Sequence, residues 1–284
     1  MTGPTEAVSW RDFTMADARG YLAAPTPSDD KYTRGVLGVI TGSRAYPGAA
    51  VLGVEAASRT GLGMVRYLGP GRATRLVLQR RPEIVTAEGR VQAWLVGSGM
   101  DASARSGRVT AELVEALGQG HPVVVDAGAL DLVHAGTGSM VITPHASELQ
   151  RVLGERGVAT SVEDIAEHPE VWAKRAADLL KVTVLLKGHV THVVQGDRGY
   201  RVTAPTTELA TAGSGDVLAG ILGALLATHA QAIGNDPSVM ARLAATAAVV
   251  HGLAGEKASD GGPITALDIA EAVPAVVSGL RSSY

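Results

Sequence analysis

The run Ala210-Thr211-Ala212-Gly213-Ser214-Gly215-Asp216 leads without a break into the apolar stretch 217–227. Small residues at a helix entrance leave backbone N–H groups uncovered, and hydrogen bonding together with the helix dipole then favours an anion there. Gly213, Ser214 and Gly215 suit a phosphate cradle of this kind. Asp216 falls in the first helical turn, placed to act as general base toward a hydroxyl attacking a phosphoryl group. The same residues also suit a plain helix start, in which Ser214 or Asp216 caps and the glycines turn the chain. No Gly-Lys-Ser/Thr follows, so the run is not a Walker loop.

Other residues with chemical capacity stand at the ends of predicted strands. Lys187 and Gly188 close the strand pattern Val184-Leu185-Leu186 and precede His189, Val190 and Thr191; a positive charge and open backbone there can hold a nucleotide's phosphate or ribose. A solvated lysine is the ordinary alternative. Thr143-Pro144-His145 leaves another strand and enters a helix, so His145 can hydrogen-bond a ligand, while Glu148 can organise water around a nucleotide-borne Mg²⁺ or simply favour the helix dipole. Gly42 to Ala49 and Gly97-Ser98-Gly99 are two further strand exits whose small residues admit a ligand or merely turn the chain. Asp126, after three valines, is a strand-end carboxylate with the same two readings. His189 and His192 point to opposite strand faces and make no metal pair. His121, His134, His168, His229 and His251 have no partner at metal-ligand spacing, and Trp10, Trp94 and Trp172 read as packing residues.

The elements that must position these residues follow from periodicity. β-branched runs alternate with Ala-rich stretches of helical period, the pattern of parallel strands joined by crossover helices. Strands are predicted over 35–41, 64–68, 93–96, 123–125, 140–142, 183–186, 192–194 and 200–202. Helices are predicted over 48–60, 105–117, 147–153, 170–180, 214–228, 238–252 and 265–277. Asp197-Arg198-Gly199 signals a hairpin turn, which adds an antiparallel hairpin at one edge of a mostly parallel sheet flanked by helices on both faces. Ligands bind beyond the carboxyl ends of the strands in such a sheet. The candidate residues fall on that edge. Residues 1–33, with a short predicted helix over 14–22, read as a lead segment, and 34–284 as one domain.

Composition narrows the classes of function. Of 284 residues, 46% are hydrophobic and 19% charged, which supports a packed core rather than disorder. The 25 Lys plus Arg against 28 Asp plus Glu, with no basic run, disfavour a nucleic-acid partner. There is no cysteine, hence no disulfide, thiolate nucleophile or Cys-based zinc site. The start lacks the basic and apolar regions of a signal peptide, and the most apolar stretch is shorter than the roughly 20 residues of a membrane span. A cytoplasmic location is expected.

The order and spacing of the segments 42–49, 143–148, 187–191 and 210–220 resemble the ribokinase-like ADP- or ATP-dependent NAD(P)H-hydrate dehydratases, related to the C-terminal half of bifunctional nicotinamide-repair proteins. The resemblance implies that Ala49, Gly99, His145 and Asp216 bind the hydrated dinucleotide, with Asp216 as base. It implies that Lys187 to Thr191 and Gly215 bind ADP or ATP with Mg²⁺, and that the chain forms a homo-oligomer, often a tetramer. Ser98 stands where the family often has proline, Gly128 where it often has a second aspartate, and Ala146-Ser147 where Pro-Gly is frequent. A small-molecule kinase of the same fold and a non-catalytic nucleotide-binding protein are the alternative functions. A Ser–His–Asp hydrolase is disfavoured, because Gly213-Ser214-Gly215 lacks the Gly-x-Ser-x-Gly spacing.

Overall fold

A computed structural model describes residues 8–22 and 24–282. In chain order the elements are β1 (Ser9–Asp12), α1 (Met15–Arg19), β2 (Val36–Ile40), α2 (Pro47–Thr60), β3 (Met64–Tyr67), α3 (Gly71–Arg80), β4 (Ala93–Val96), α4 (Gly107–Leu117) and β5 (Val123–Val125). A 3₁₀ segment (Ala127–Ala135), β6 (Met140–Ile142), α5 (Ala146–Gly154), α6 (Val162–Glu167), α7 (Pro169–Leu180), β7 (Thr183–Leu186), β8 (Val190–Gln195) and β9 (Arg198–Thr203) follow. The chain then becomes helical, with α8 (Ser214–Thr228), α9 (Ala230–Asn235), α10 (Val239–Ser259) and α11 (Ala266–Ser282). No helix among the described residues is long and apolar enough to cross a membrane.

The strands form one nine-stranded sheet in the order β1-β9-β8-β7-β6-β5-β4-β2-β3. Pairing is parallel except on the two sides of β8. Along each strand, successive side chains enter opposite layers: Leu37, Val39, Leu95, Val124, Val141 and Leu185 pack with α2, α8, α10 and α11. Val36, Ile40, Val96, Val125, Ile142 and Leu186 pack with α4, α5 and α7. Because both faces are covered, the strands read as continuous apolar runs rather than as alternating ones.

The predicted strands and long helices are present, with three differences. The hairpin turn is Gly196-Asp197, one residue earlier than predicted, with Gln195 opposite Arg198. Gly196 has φ 59, a conformation that favours glycine at a tight turn. The hairpin is not the outermost element, because β1 pairs in parallel with β9 and extends the sheet beyond it. A four-residue strand with one aromatic carries no periodicity, so its pairing partner alone defines it. Helix α3 also lies outside the predicted helices; its buried residues are only Ala73 and Val77, and its exposed surface mixes Leu76 and Leu78 with arginine and other polar groups.

Two contacts fix the helices that carry the strand-end loops. Helix α2 crosses α8 so closely that a Cβ on Gly220 would lie 2.2 Å from the Gly53 carbonyl oxygen. Farther along α2, the fully buried Glu55 carboxylate receives Arg59 Nε at 2.6 Å, Arg81 Nη2 at 2.7 Å and Arg80 Nη2 at 3.1 Å, all on Oε1. Burial by itself would raise the Glu55 carboxyl, but the hydrogen bonds from Arg81, Arg59 and Arg80 outweigh it and hold the group at about 2.

Two outcomes are expected. Gly220→Ala forces the α2–α8 crossing apart and destabilises the protein by about 1–3 kcal/mol in a thermal or urea melt. Glu55 has a depressed pKa, so its contribution is complete above the unfolded value near 4.5 and is lost as pH falls toward 2. Chemical denaturation between those pH values should show roughly 2–3 kcal/mol more acid sensitivity in the wild type than in Glu55→Gln. Equal slopes would show that the three arginines do not act through this carboxylate.

Candidate active site

The carboxyl ends of β4, β5, β6 and β7 meet at Asp126, the residue that follows β5. Its side chain is buried and faces α8. Oδ1 accepts a hydrogen bond from Thr143 Oγ1 at 2.7 Å and Oδ2 accepts one from Ser98 Oγ at 2.8 Å. The Lys187 ammonium, at the end of β7, lies 3.2 Å from Asp126 Oδ1 and 3.5 Å from Glu148 Oε2. Burial would lower the Lys187 pKa, but the charges of Asp126 and Glu148 outweigh it and hold the ammonium above its ordinary value. Lys187 is thus not a solvated strand-end lysine.

Above this cluster stands the N-terminus of α8. Its cap residue is Gly213, at φ 90, with no side-chain cap hydrogen bond. Neither Ser214 nor Asp216 caps the helix; the Ser214 amide donates to the Thr211 carbonyl at 3.2 Å, while the amides of Gly215 and Asp216 belong to the first turn, which no helix satisfies internally, and point out of its end. A Cβ on Gly215 would lie 3.6 Å from Lys187 Nζ, so amide donors and ammonium face the same space. Ser214 is held from behind, with its Oγ 3.0 Å from Nε2 of the buried His251. Burial pushes His251 down to about 4, which keeps the imidazole neutral. Sequence spacing gave His251 no role, because its partner lies 37 residues earlier on another helix.

Asp216 is half-buried on the first turn of α8. Burial first, and the charge of Asp126 second, push its carboxyl up to about 7; Lys187 opposes them and Glu148 adds to them. A carboxylate poised near neutrality suits proton exchange with an alcohol.

Apart from Asp216 and Glu148, which do not line the cavity, the sequence candidates fall into two neighbouring groups. His145, Lys187, Gly188, His189, Thr191, Ser214 and Gly215 line one cavity of about 640 Å³, together with His251 and the apolar Leu209, Leu218 and Ala248. Gly213 and Val190 lie beside it without lining it. Ala49 and Gly99 form the second group: a Cβ on Gly99, which has φ 65, would lie 2.3 Å from Ala49 Cβ and 2.9 Å from the Tyr46 carbonyl oxygen. The two groups are linked by α2, whose Leu52 Cδ1 lies 2.5 Å from a Cβ built on Gly213 and whose Gly53 abuts the Asp216 carbonyl. His145 also caps α5: Nδ1 accepts from Glu148 N–H at 3.4 Å, and Glu148 Oε2 accepts from His145 N–H at 2.9 Å. Among the described residues no three His, Asp or Glu side chains are grouped to hold a metal ion.

Comparison with known proteins places this geometry. The sequence profile of a family described as NAD(P)H-hydrate dehydratase matches residues 37–275. The chain is 35% identical, over 69% of its own length and 71% of the relative's, to the ADP-dependent (S)-NAD(P)H-hydrate dehydratase of Neisseria meningitidis. It is also 35% identical to the bifunctional NAD(P)H-hydrate repair enzyme Nnr of Corynebacterium glutamicum, over 89% of this chain but 49% of that protein. It therefore spans about half the length of such bifunctional relatives. The crystal structure of the ADP/ATP-dependent NAD(P)H-hydrate dehydratase from Bacillus subtilis, co-crystallised with ATP/Mg²⁺, superimposes with a TM-score of 0.81 at 24% identity, covering 95% of this chain and 98% of that one. That likeness establishes a ribokinase-like fold, and with the profile and the Neisseria relative it leads to one conclusion: the chain belongs to the NAD(P)H-hydrate dehydratase family.

Proposed function

We propose that the protein uses ADP or ATP to dehydrate (S)-hydrates of NADH and NADPH, and that Asp216 is its base. The observation that carries this reading is the placement of a carboxylate near pKa 7 on the first turn of an uncapped helix, beside an ammonium aimed at the same opening. The 640 Å³ cavity takes the adenine nucleotide, with apolar walls for the base and Lys187, Gly188, His189, Val190 and Thr191 along the ribose and phosphates. The Gly213, Ser214 and Gly215 backbone grips the terminal phosphoryl. Ala49, Gly99 and His145 hold the hydrated dinucleotide, whose C6 hydroxyl then reaches Asp216.

Asp216 accepts the proton of that hydroxyl as its oxygen attacks the terminal phosphorus and the bond to the nucleotide leaving oxygen breaks. The amides at the head of α8 and Lys187 stabilise the charge that spreads over the transferring group. Loss of the phosphate from C6, pushed by the ring nitrogen's electron pair, restores the dihydronicotinamide. Net products are the repaired dinucleotide, inorganic phosphate and AMP or ADP. Mg²⁺, when bound with the nucleotide, supplies neutralisation of phosphate charge. The residues fit such a nucleotide-borne ion, because the contacts of the Glu148 carboxylate with His145 N–H, His145 Nε2 and Lys187 all fall on Oε2 and leave Oε1 to hold a water in its shell.

The direct test is incubation with hydrated NADPH and each nucleotide, following recovery of dihydronicotinamide absorbance and release of phosphate. A stable phosphate ester in place of free phosphate would identify a kinase instead. Asp216→Asn is expected to retain nucleotide binding by calorimetry and to lose turnover by ~100-fold or more, the scale of a positioned general base. Near-normal turnover would remove Asp216 from the role. Since the base works only when deprotonated, kcat/KM in the wild type should rise with pH and level off above about 7. A profile flat from pH 5 to 8 would contradict that assignment.

A further inference from the structure

Helix α10 buries a long run of apolar and small side chains, with the polar Thr246 and His251 among them. Thr246 is satisfied within its own helix, its Oγ1 donating to the Arg242 carbonyl oxygen at 2.8 Å. His251 instead reaches across to α8, where Nε2 lies 3.0 Å from Ser214 Oγ. Taking an imidazole out of water costs free energy that a leucine at the same place would not, so packing alone does not call for a histidine here. Nor does the ring store charge: burial above all, with the Lys187 ammonium adding to it, disfavours a second proton.

His251 and Ser214 both line the 640 Å³ cavity, with 8% and 6% of their surface exposed. The head of α8 is tied at two points, since the Ser214 amide donates to the Thr211 carbonyl while the Ser214 hydroxyl meets His251. The loop that leads into it leans on the same stretch of α10: a Cβ on Gly252 would lie 3.0 Å from Pro205 Cδ. A serine hydroxyl has one proton and two lone pairs, and His251 uses one of these capacities, which leaves the rest for whatever fills the cavity. An ionised phosphoryl group offers acceptors, so toward it the hydroxyl has to donate. The proton between Ser214 and His251 then has to come from the imidazole.

Resting on the dehydratase reading, we propose that His251 is a positioning residue for phosphoryl transfer: its Nε2–H donates to Ser214 Oγ, and the Ser214 hydroxyl, held that way round, donates to an oxygen of the nucleotide's terminal phosphoryl group. The relay adds a side-chain donor to the main-chain amides at the head of α8 and fixes its direction before the nucleotide arrives. No proton passes along it, and His251 stays neutral throughout.

Ser214→Ala and His251→Leu should each lower kcat/KM for ADP about tenfold, the loss of one charge-assisted hydrogen bond, and the double variant should lose no more than either alone. His251→Gln, whose side-chain amide can present an N–H where Nε2 stood, should recover most of the activity. KM for hydrated NADPH, and the pH near 7 at which kcat/KM levels off, should be unchanged in all of them, because a helix head that had merely slumped would move Asp216 as well. Losses that multiply in the double variant, or a His251→Gln no better than His251→Leu, overturn the relay and leave the dehydratase reading standing. A measurement that needs no variant is the nitrogen NMR spectrum of the imidazole in wild type saturated with ADP: the ring should carry its proton on Nε2 at neutral pH, and a proton on Nδ1 overturns the relay. Wild-type protein that binds ADP but turns over neither hydrate overturns both.

Discussion

Two carboxylates, those of Asp126 and Glu148, pair with the ammonium of Lys187, a third, that of Asp216, feels the charge of all three, and the chemistry of the site follows from how that imbalance is settled. Asp126 is held by fixed hydroxyl donors from the ends of two neighbouring strands, and Glu148 by a backbone amide at the head of α5. Asp216 is half-buried within the field of the other two. It is the member whose charge is costly, which is why it sits near the pKa a base requires. On the proposed reading, a polyanionic nucleotide entering this pocket meets an excess of negative charge. Lys187 and the uncapped amides of α8 therefore have a defined task, and a divalent cation carried by the phosphates completes the neutralisation.

The parallel sheet supplies the precision this arrangement demands. Each donor to Asp126 leaves a different strand, so the carboxylate measures the spacing of β4, β5, β6 and β7 at their carboxyl ends. Helix α2 does the equivalent on the other side of the crevice. Its glycine approach to α8 and its alanine contact with Gly99 leave no thickness of side chain between the phosphate cradle and the strand-end loops. Small residues are used here as spacers: a methyl group added at Gly220 meets the Gly53 backbone, and one added at Gly99 meets Ala49 Cβ and the Tyr46 carbonyl.

Much of this was legible because parallel strands buried on both faces announce themselves as short apolar runs, and ligand-binding loops follow them directly. That rule singles out Lys187 and Glu148 as candidates, whereas Asp216 is singled out by the small-residue run at the head of an apolar helix. What escaped has a common physical character: it is defined by partners distant in sequence. Strand β1 exists through its pairing with β9, and α3 buries only Ala73 and Val77. His251 sits in the middle of a long buried helix, where a histidine usually reads as packing, and only the crossing of α8 and α10 brings Ser214 to it. Asp126 was ambiguous for the opposite reason, because a carboxylate after a strand is ordinary until its three donors are seen together.

The positions that depart from the family pattern gather at the ends of β4, β5 and β6 rather than at α8. Ser98 contributes a hydroxyl that proline cannot, and with it a partner for Asp126 Oδ2. At Gly128 a Cβ would lie 2.4 Å from the Met100 carbonyl oxygen, so an aspartate is incompatible with the loop as it runs here. Arg105 occupies the region instead, donating to the Gly128 carbonyl and pairing with Asp131 at 2.7 Å. Ser147 places its hydroxyl 2.9 Å from His145 Nδ1. Glu148 N–H donates to that same nitrogen, and Nε2 lies 3.5 Å from Glu148 Oε2. Ser98 and Ser147 thus contact Asp126 and His145 directly, and the loop at Gly128 is held through its carbonyl by Arg105. On the proposed reading, these changes fall on the wall of the dinucleotide crevice while the charges that set Asp216 are retained, as expected where a phosphate cradle is fixed by its chemistry and a wall only by shape.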